Sequence, residues 1–195
     1  MPSAEEGPES FRRIGERPRF DGGFFQLVTG TFVAPTGFTF ERTIIRHPGA
    51  VCAVPLESDG RHVLMVRQYR AALEEPILEL PAGKRDLEGE DPKVCIAREL
   101  VEEIGRQAGR ITEIARFVNS PGISDEETLC YLAEELVECE RQAHGIEEEH
   151  MTLERVALEE IDELIASGEL IDAKSIIALH AARARLKARR PSSSL

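Results

Sequence analysis

Asp91-Pro92-Lys93-Val94-Cys95-Ile96-Ala97-Arg98-Glu99-Leu100-Val101-Glu102-Glu103-Ile104-Gly105 carries the clearest helix signals in the chain. Asp91 has the short polar side chain favoured at a helix N-cap, and Pro92 suits the first helical position. Gly105 is placed to end the helix. Between these stops Val94, Ala97, Val101 and Ile104, supported by Leu100, recur at helical spacing and predict an apolar stripe. Glu99 and Glu103 stand at i and i+4, and Glu102 at i+3 from Glu99, so the three carboxylates project from one side.

Like charges so spaced destabilise a helix by about 0.2–0.5 kcal/mol per pair, so something positive should offset them. Hard oxygen donors suit Mg²⁺ or Mn²⁺, which carboxylates and phosphate oxygens hold together. Arg98 reaches Glu102 at i+4 or folds back toward Glu90. By themselves, three helical glutamates read first as a solvated acidic face in a Glu-rich chain. The preceding loop separates the two readings: Leu80-Pro81-Ala82-Gly83 ends a strand abruptly, and Gly83 and Gly89 bracket a loop able to curl over the helix start.

These residues resemble the signature of the Nudix hydrolase family, the match running from Gly83 through Glu90, Arg98-Glu99, Glu102-Glu103 and Gly105 to Arg106. Two positions depart from it: six residues rather than five separate Gly83 from Glu90, and Arg106 stands where the family has an aliphatic residue. Neither deletes a carboxylate. The resemblance implies an α/β (α+β) fold, the family's α/β/α sandwich around a mixed sheet. It implies metal ligation by Glu99, Glu102, Glu103 and the Ala82 backbone carbonyl, with Glu102 and Glu103 also counted as catalytic. Gly83, Glu90 and Arg98 match the loop brace.

Val66-Arg67-Gln68-Tyr69-Arg70 before Leu78–Gly83, and Ser120-Pro121-Gly122-Ile123-Ser124-Asp125-Glu126 after the helix, resemble the ADP-ribose pyrophosphatase branch, which shares much with GDP-mannose pyrophosphatases. That branch implies Mg²⁺-dependent cleavage of a nucleoside diphosphate sugar, ADP-ribose giving AMP and ribose 5-phosphate. It implies substrate contacts from Arg42, Arg70 and Pro121, and a loop glutamate that activates water, for which Glu147 and Glu149 align better than Glu148. It also implies a homodimer built through N-terminal strands. A catalytically silent nucleotide-sugar sensor is the reading from another class.

The rest of the chain supplies the surroundings. β-formers at 23–34 and 37–46 around Thr36-Gly37 predict a hairpin and a small N-terminal antiparallel sheet. Residues 49–54 and 63–66 predict strands joined by Ser58-Asp59-Gly60, followed by strands at 77–80, 111–118, 127–134 and 151–156. Helices are expected over 158–167 and 172–190, and the polar 137–150 reads as a mobile loop. The domain reading is a mobile polar leader (1–19), N-terminal strands (20–46), the hydrolase domain (47–190) and a tail (191–195).

The chain has 195 residues and a net charge of −12, so no overall positive field attracts nucleic acid. The basic run Arg183, Arg185, Lys187, Arg189, Arg190 fits the last turns of a helix, where cations complement the dipole. No stretch has the apolar length of a membrane span, and MPSAEEGPESFRR lacks the apolar core of a secretory signal. The four cysteines have no CxxC spacing, and Cys52 with His47 or Cys139 with His144 makes no zinc set. Reduced, partly buried thiols and a cytoplasmic setting are expected. Phe24 or Phe25 suits either a core position or stacking on a base, and no histidine is assigned to catalysis.

Overall fold

A computed structural model describes residues 9–143 and 146–189; the start of the leader (1–8), His144 and Gly145, and the end of the chain (190–195) lie outside the described residues. The chain divides into two compact units, one made of the residues up to Gly49 with Val118–Glu127, the other of Ala50–Phe117 with the chain from Thr128.

The first unit is a three-stranded antiparallel sheet in the order β1 (Arg12–Asp21), β2 (Gln26–Val33), β3 (Thr39–Arg46). The expected hairpin is β2–β3, paired Gln26↔Arg46 through Val33↔Thr39, and Gly37 takes the positive φ of its turn. β1 corrects the boundary of the leader, because residues 12–19 form a strand along β2. All ten of its residues are exposed. Backbone pairing, ion pairs such as Arg17–Glu41 and the Phe20–Phe25 ring contact hold it, without a buried face. The segment after residue 117 joins this unit: Ile45 N donates to Ile123 O and Asp125 N to Ile45 O, while Asp125 pairs with Arg46. Phe24 and Phe25 are not core rings; they pack edge-on to each other, and Phe24 is 45% exposed.

The second unit carries two sheets. One has the order β7 (Ala82–Lys84), β4 (Ala50–Pro55), β9 (Glu127–Glu138), β8 (Arg106–Val118), with β4 antiparallel to β7 and parallel to β9. The other is antiparallel: β10 (Thr152–Ala157), β5 (His62–Arg70), β6 (Glu75–Glu79). The turn at Ser58-Asp59-Gly60 forms as expected. A single bridge, Leu56↔Val63, follows it before β4 and β5 part into different sheets.

β4 is apolar throughout because both of its faces are covered. Val51 and Ala53 join Cys95, Ile96, Leu100 and Ile104 of α1 (Pro92–Ile104) in one core. Cys52 and Val54 point the other way, into a core closed by Ile161 of α3 (Ile161–Ser167) and Ala178, Leu179 and Ala182 of α4 (Ala173–Arg189). The result is the expected α/β/α layering.

The caps of α1 are those read from the sequence: Asp91 accepts from Lys93 N, and Gly105 sits at φ 60°. Its apolar stripe is not. Val94 is 57% exposed and Ala97 and Val101 are only half-buried, while Cys95, Ile96, Leu100 and Ile104 make the buried row. Nor is 137–150 wholly loop, since β9 continues to Glu138 and α2 (Ile146–Glu149) forms a short helix. The C-terminal cations also do more than face the helix dipole: Arg183 pairs with Asp162 and Arg189 with Glu134.

Candidate active site

The acidic face of α1 looks into the protein. Glu99, Glu102 and Glu103 are 7%, 9% and 4% exposed, which excludes a solvated acidic face. β7 lies against it. Ala82 N donates to Glu103 Oε2 at 2.9 Å. A Cβ on Gly83 would fall 2.1 Å from the Glu99 carboxyl, so only glycine fits the cradle around that side chain.

Arg98 is the internal counter-charge. Its Nη1 lies 3.0 Å from Glu99 Oε1 and 2.9 Å from Glu102 Oε2, and its Nε lies 3.4 Å from Glu90 Oε1. Arg98 thus reaches back to Glu90 across the longer loop. Glu90 Oε2 is buried without a hydrogen-bond partner. One guanidinium does not neutralise this set. Burial, with neighbouring Glu102 and Glu148 charge, pushes the Glu99 carboxyl up to about 7 against the pull of Arg98. Burial raises Glu103 to about 8, aided by Glu99 and Glu148. Nearly buried carboxylates that resist ionisation, and a carboxyl cradle with no room for a Cβ, fit a divalent cation held by Glu99, Glu102, Glu103 and the Ala82 carbonyl.

Of the three loop carboxylates, Glu148 is the one whose charge adds to the upward push on Glu99 and Glu103. Glu148 is half-buried and close enough to raise both Glu99 and Glu103. Glu147 and Glu149, favoured by alignment, are exposed on α2.

Arg70 reaches a different partner from the expected phosphate. Its Nε and Nη2 go to Glu79, at 2.5 and 2.8 Å, and Glu79 is 1% exposed. Lys174 completes the pairing of Glu79 and lies 3.0 Å from Asp172. Burial drives Glu79 upward, but Arg70 and Lys174 outweigh it and hold its carboxyl below the usual range. Ser175 Oγ accepts from Leu80 N at 2.7 Å, so α4 grips the strand end that precedes Ala82. Arg70 still helps to lower Glu103, which keeps its charge within reach of the acidic face.

In the first unit, Arg42 and Pro121 line one hollow of about 490 Å³ with Phe32, Phe40, Ile44 and Arg46. Phe32 and Phe40 stack at 5.6 Å, and the Arg42 guanidinium lies 4.7 Å over the Phe40 ring.

Another carboxylate set, absent from the sequence reading, has Glu57, Asp59 and His62 ligand atoms within 4.8 Å of one another. Arg155 occupies it, 2.5 Å from Glu57, 2.7 Å from Asp59 and 2.7 Å from His62 Nδ1. Arg155 is the counter-charge of this cluster, as Arg98 is of the acidic face of α1. Cys52, Cys95 and Cys130 are free and buried, as expected, and Cys139 is half-buried.

The NUDIX domain family matches residues 46–179, which include the whole acidic face. The chain belongs to the NUDIX family. As a Nudix hydrolase it is 37% identical over 179 residues to the ADP-ribose pyrophosphatase of Bacillus subtilis (strain 168), covering 92% of this chain and 93% of that one. It is also 37% identical over 160 residues to the methanol dehydrogenase activator of Bacillus methanolicus, covering 82% and 85%. The crystal structure of an ADP compounds hydrolase superposes with a TM-score of 0.80 at 22% identity, covering 92% of this chain and 96% of that chain, and shows the shared fold. No helix among the described residues is long and apolar enough to cross a membrane.

Proposed function

We propose that this Nudix hydrolase cleaves the pyrophosphate bond of ADP-ribose, releasing AMP and ribose 5-phosphate, in a Mg²⁺-dependent reaction. The observation that carries the reading is the trio Glu99, Glu102 and Glu103, nearly buried on one side of α1 and facing the Ala82–Gly83 turn. Mg²⁺ held there, or Mn²⁺ in its place, would supply positive charge to the diphosphate oxygens and acidify water. Glu102 and Glu103 are thus both ligands and catalytic groups. Glu148, rather than Glu147 or Glu149, is the loop carboxylate that takes the proton of the attacking water. Water adds to one phosphorus in line with the bridging oxygen, the P–O bond breaks, and the departing phosphate keeps the bridging oxygen. Arg70, aimed by Glu79, sets a fixed positive charge beside the diphosphate.

The hollow with Arg42 and Pro121 suits a flat base and an anionic group, since its stacked rings and guanidinium offer both kinds of contact. The exposed Phe11, Ile14, Phe20 and Phe38 of the N-terminal unit supply an apolar surface for a second copy, and a homodimer is the expected state in a cytoplasmic setting. Light scattering on a sizing column tests that state.

The activity test is AMP release from ADP-ribose, with GDP-mannose as the competing substrate, at varied Mg²⁺. The wild type should release AMP, and Glu102→Gln should lose at least about a hundredfold in kcat. Full turnover by Glu102→Gln and Glu103→Gln would overturn the reading, and binding of ADP-ribose without AMP release would favour a sensor.

A further inference from the structure

Arg141 stands in the stretch between β9 and α2 that reads from sequence as loop. Its guanidinium donates to three backbone carbonyls: Nε to Glu102 O at 3.3 Å, Nη1 to Met151 O at 3.4 Å and Nη2 to Glu148 O at 2.5 Å. The acceptors belong to two elements. Glu102 lies in the last turn of α1, where carbonyls lack an intrahelical donor; Gly105 N turns back to Leu100 and Val101, leaving the Glu102 carbonyl for Arg141. Glu148 and Met151 close α2, with Met151 N donating to the same Glu148 carbonyl. The backbone around Arg141 is tied to α1 as well, because Cys139 N donates to Gly105 O at 3.0 Å. A Cβ on Gly105 would come 2.9 Å from Cys139 O, so that approach is close.

α2 cannot hold its own place. It has four residues, none of them buried, and a helix of one turn does not pay back its nucleation cost. Its position relative to α1 must be set from outside, and the fork of Arg141 spans that gap.

We propose that Arg141 is a positioning residue for pyrophosphate hydrolysis: by joining the carbonyls of Glu102 and Glu148 it sets the loop carboxylate against the acidic face of α1. The inference rests on the reading of Glu148 as proton acceptor. Arg141 donates to backbone carbonyls and not to the carboxylates of Glu99, Glu102 or Glu103, so its removal leaves those side chains in place while freeing the Glu148 backbone. Lysine offers one compact ammonium in place of a planar fork and cannot span three carbonyls equally well.

The test is steady-state kinetics with ADP-ribose and Mg²⁺ on Arg141→Ala, Arg141→Lys, Glu148→Gln and the double variant Arg141→Ala/Glu148→Gln, with circular dichroism and thermal melts on each. Arg141→Ala should lower kcat by about ten- to a hundredfold while KM stays within about twofold, the scale of an ångström-level misplacement of a catalytic group. Arg141→Lys should fall between it and the wild type. In the Glu148→Gln background the Arg141 substitution should cost nothing further, because the group it positions is gone. If Arg141→Ala fails to fold, Arg141→Lys carries the same comparison, and its deficit must vanish when Glu148 is glutamine. Slow Glu148→Gln beside Arg141 variants at full kcat, or fully additive losses in the double variant, would overturn the positioning role alone. Glu148→Gln at wild-type kcat would overturn the reading of Glu148 and this inference with it.

Discussion

Gly83→Ala separates stability from activity at a single atom. The added methyl would lie 2.1 Å from both Cδ and Oε1 of Glu99 and 2.5 Å from Cγ, where ordinary contact begins near 3.4 Å. The carboxyl must therefore retreat by about 1.3 Å, which a flexible side chain does by changing rotamer at about 0.5–1.5 kcal/mol. The φ of Gly83 is not in the left-handed region, so alanine fits the backbone. Restricting the unfolded chain returns about 0.4–1 kcal/mol. The two nearly cancel, and the melting temperature should move by no more than about 2–4 °C, the equivalent of about 1 kcal/mol in a chain of this size. Activity has no such compensation. A metal ligand displaced by more than an ångström should lower kcat/KM about a hundredfold, or about 2.7 kcal/mol of transition-state stabilisation. AMP release and a thermal melt on the same preparation measure both. A variant that melts like the wild type and keeps kcat/KM within about threefold would refute the cradle, since Glu99 could then work from another position.

Other consequences concern charge, thiols and caps. Glu99 and Glu103 are raised in the folded chain, to about 7 and about 8, so the stability they confer is fully present below the ordinary carboxylate value of 4.5 and is lost as pH rises through 7–8. Metal-free protein should melt progressively lower over that window, and the gain on adding Mg²⁺ should be larger at about pH 8.5 than at about pH 6 in a fluorimetric melt. A thiol reagent should modify at most Cys139 in native protein and all four cysteines in denaturant, because Cys52, Cys95 and Cys130 are buried and burial pushes the Cys95 thiol up to about 12. Asp91→Ala removes the side-chain acceptor of Lys93 N and should cost about 1 kcal/mol by denaturant melt, with kcat changed less than by Gly83→Ala.

α1 was legible because its ends and acidic face are marked by local chemistry: an Asp-Pro start, a Gly stop and carboxylates at i, i+3 and i+4. Which apolar row packs was not, since Val94 and Ile96 are equally apolar in the sequence and only the approach of β4 and β5 decides that Ile96 is covered. β1 escaped because a strand with no buried face shows no alternation; Arg13, Glu16, Arg17 and Pro18 are what a solvated edge tolerates. Among Glu147, Glu148 and Glu149 the family resemblance favoured the outer two, and local chemistry in the sequence did not separate them. Three successive residues of one helical turn point in three directions, and the anchoring of that turn by Arg141 comes from outside it. Arg70 was recognised as a functional cation, but Lys174, which shares its partner Glu79, sits on an element about a hundred residues away and left no local mark.

The Arg98 guanidinium has a consequence for how the enzyme is loaded. Because it already bonds Glu99 and Glu102, an arriving ion meets occupied ligands and must win them from a resident partner. A divalent cation binding these two carboxylates would exchange with Arg98, and that competition would temper its affinity.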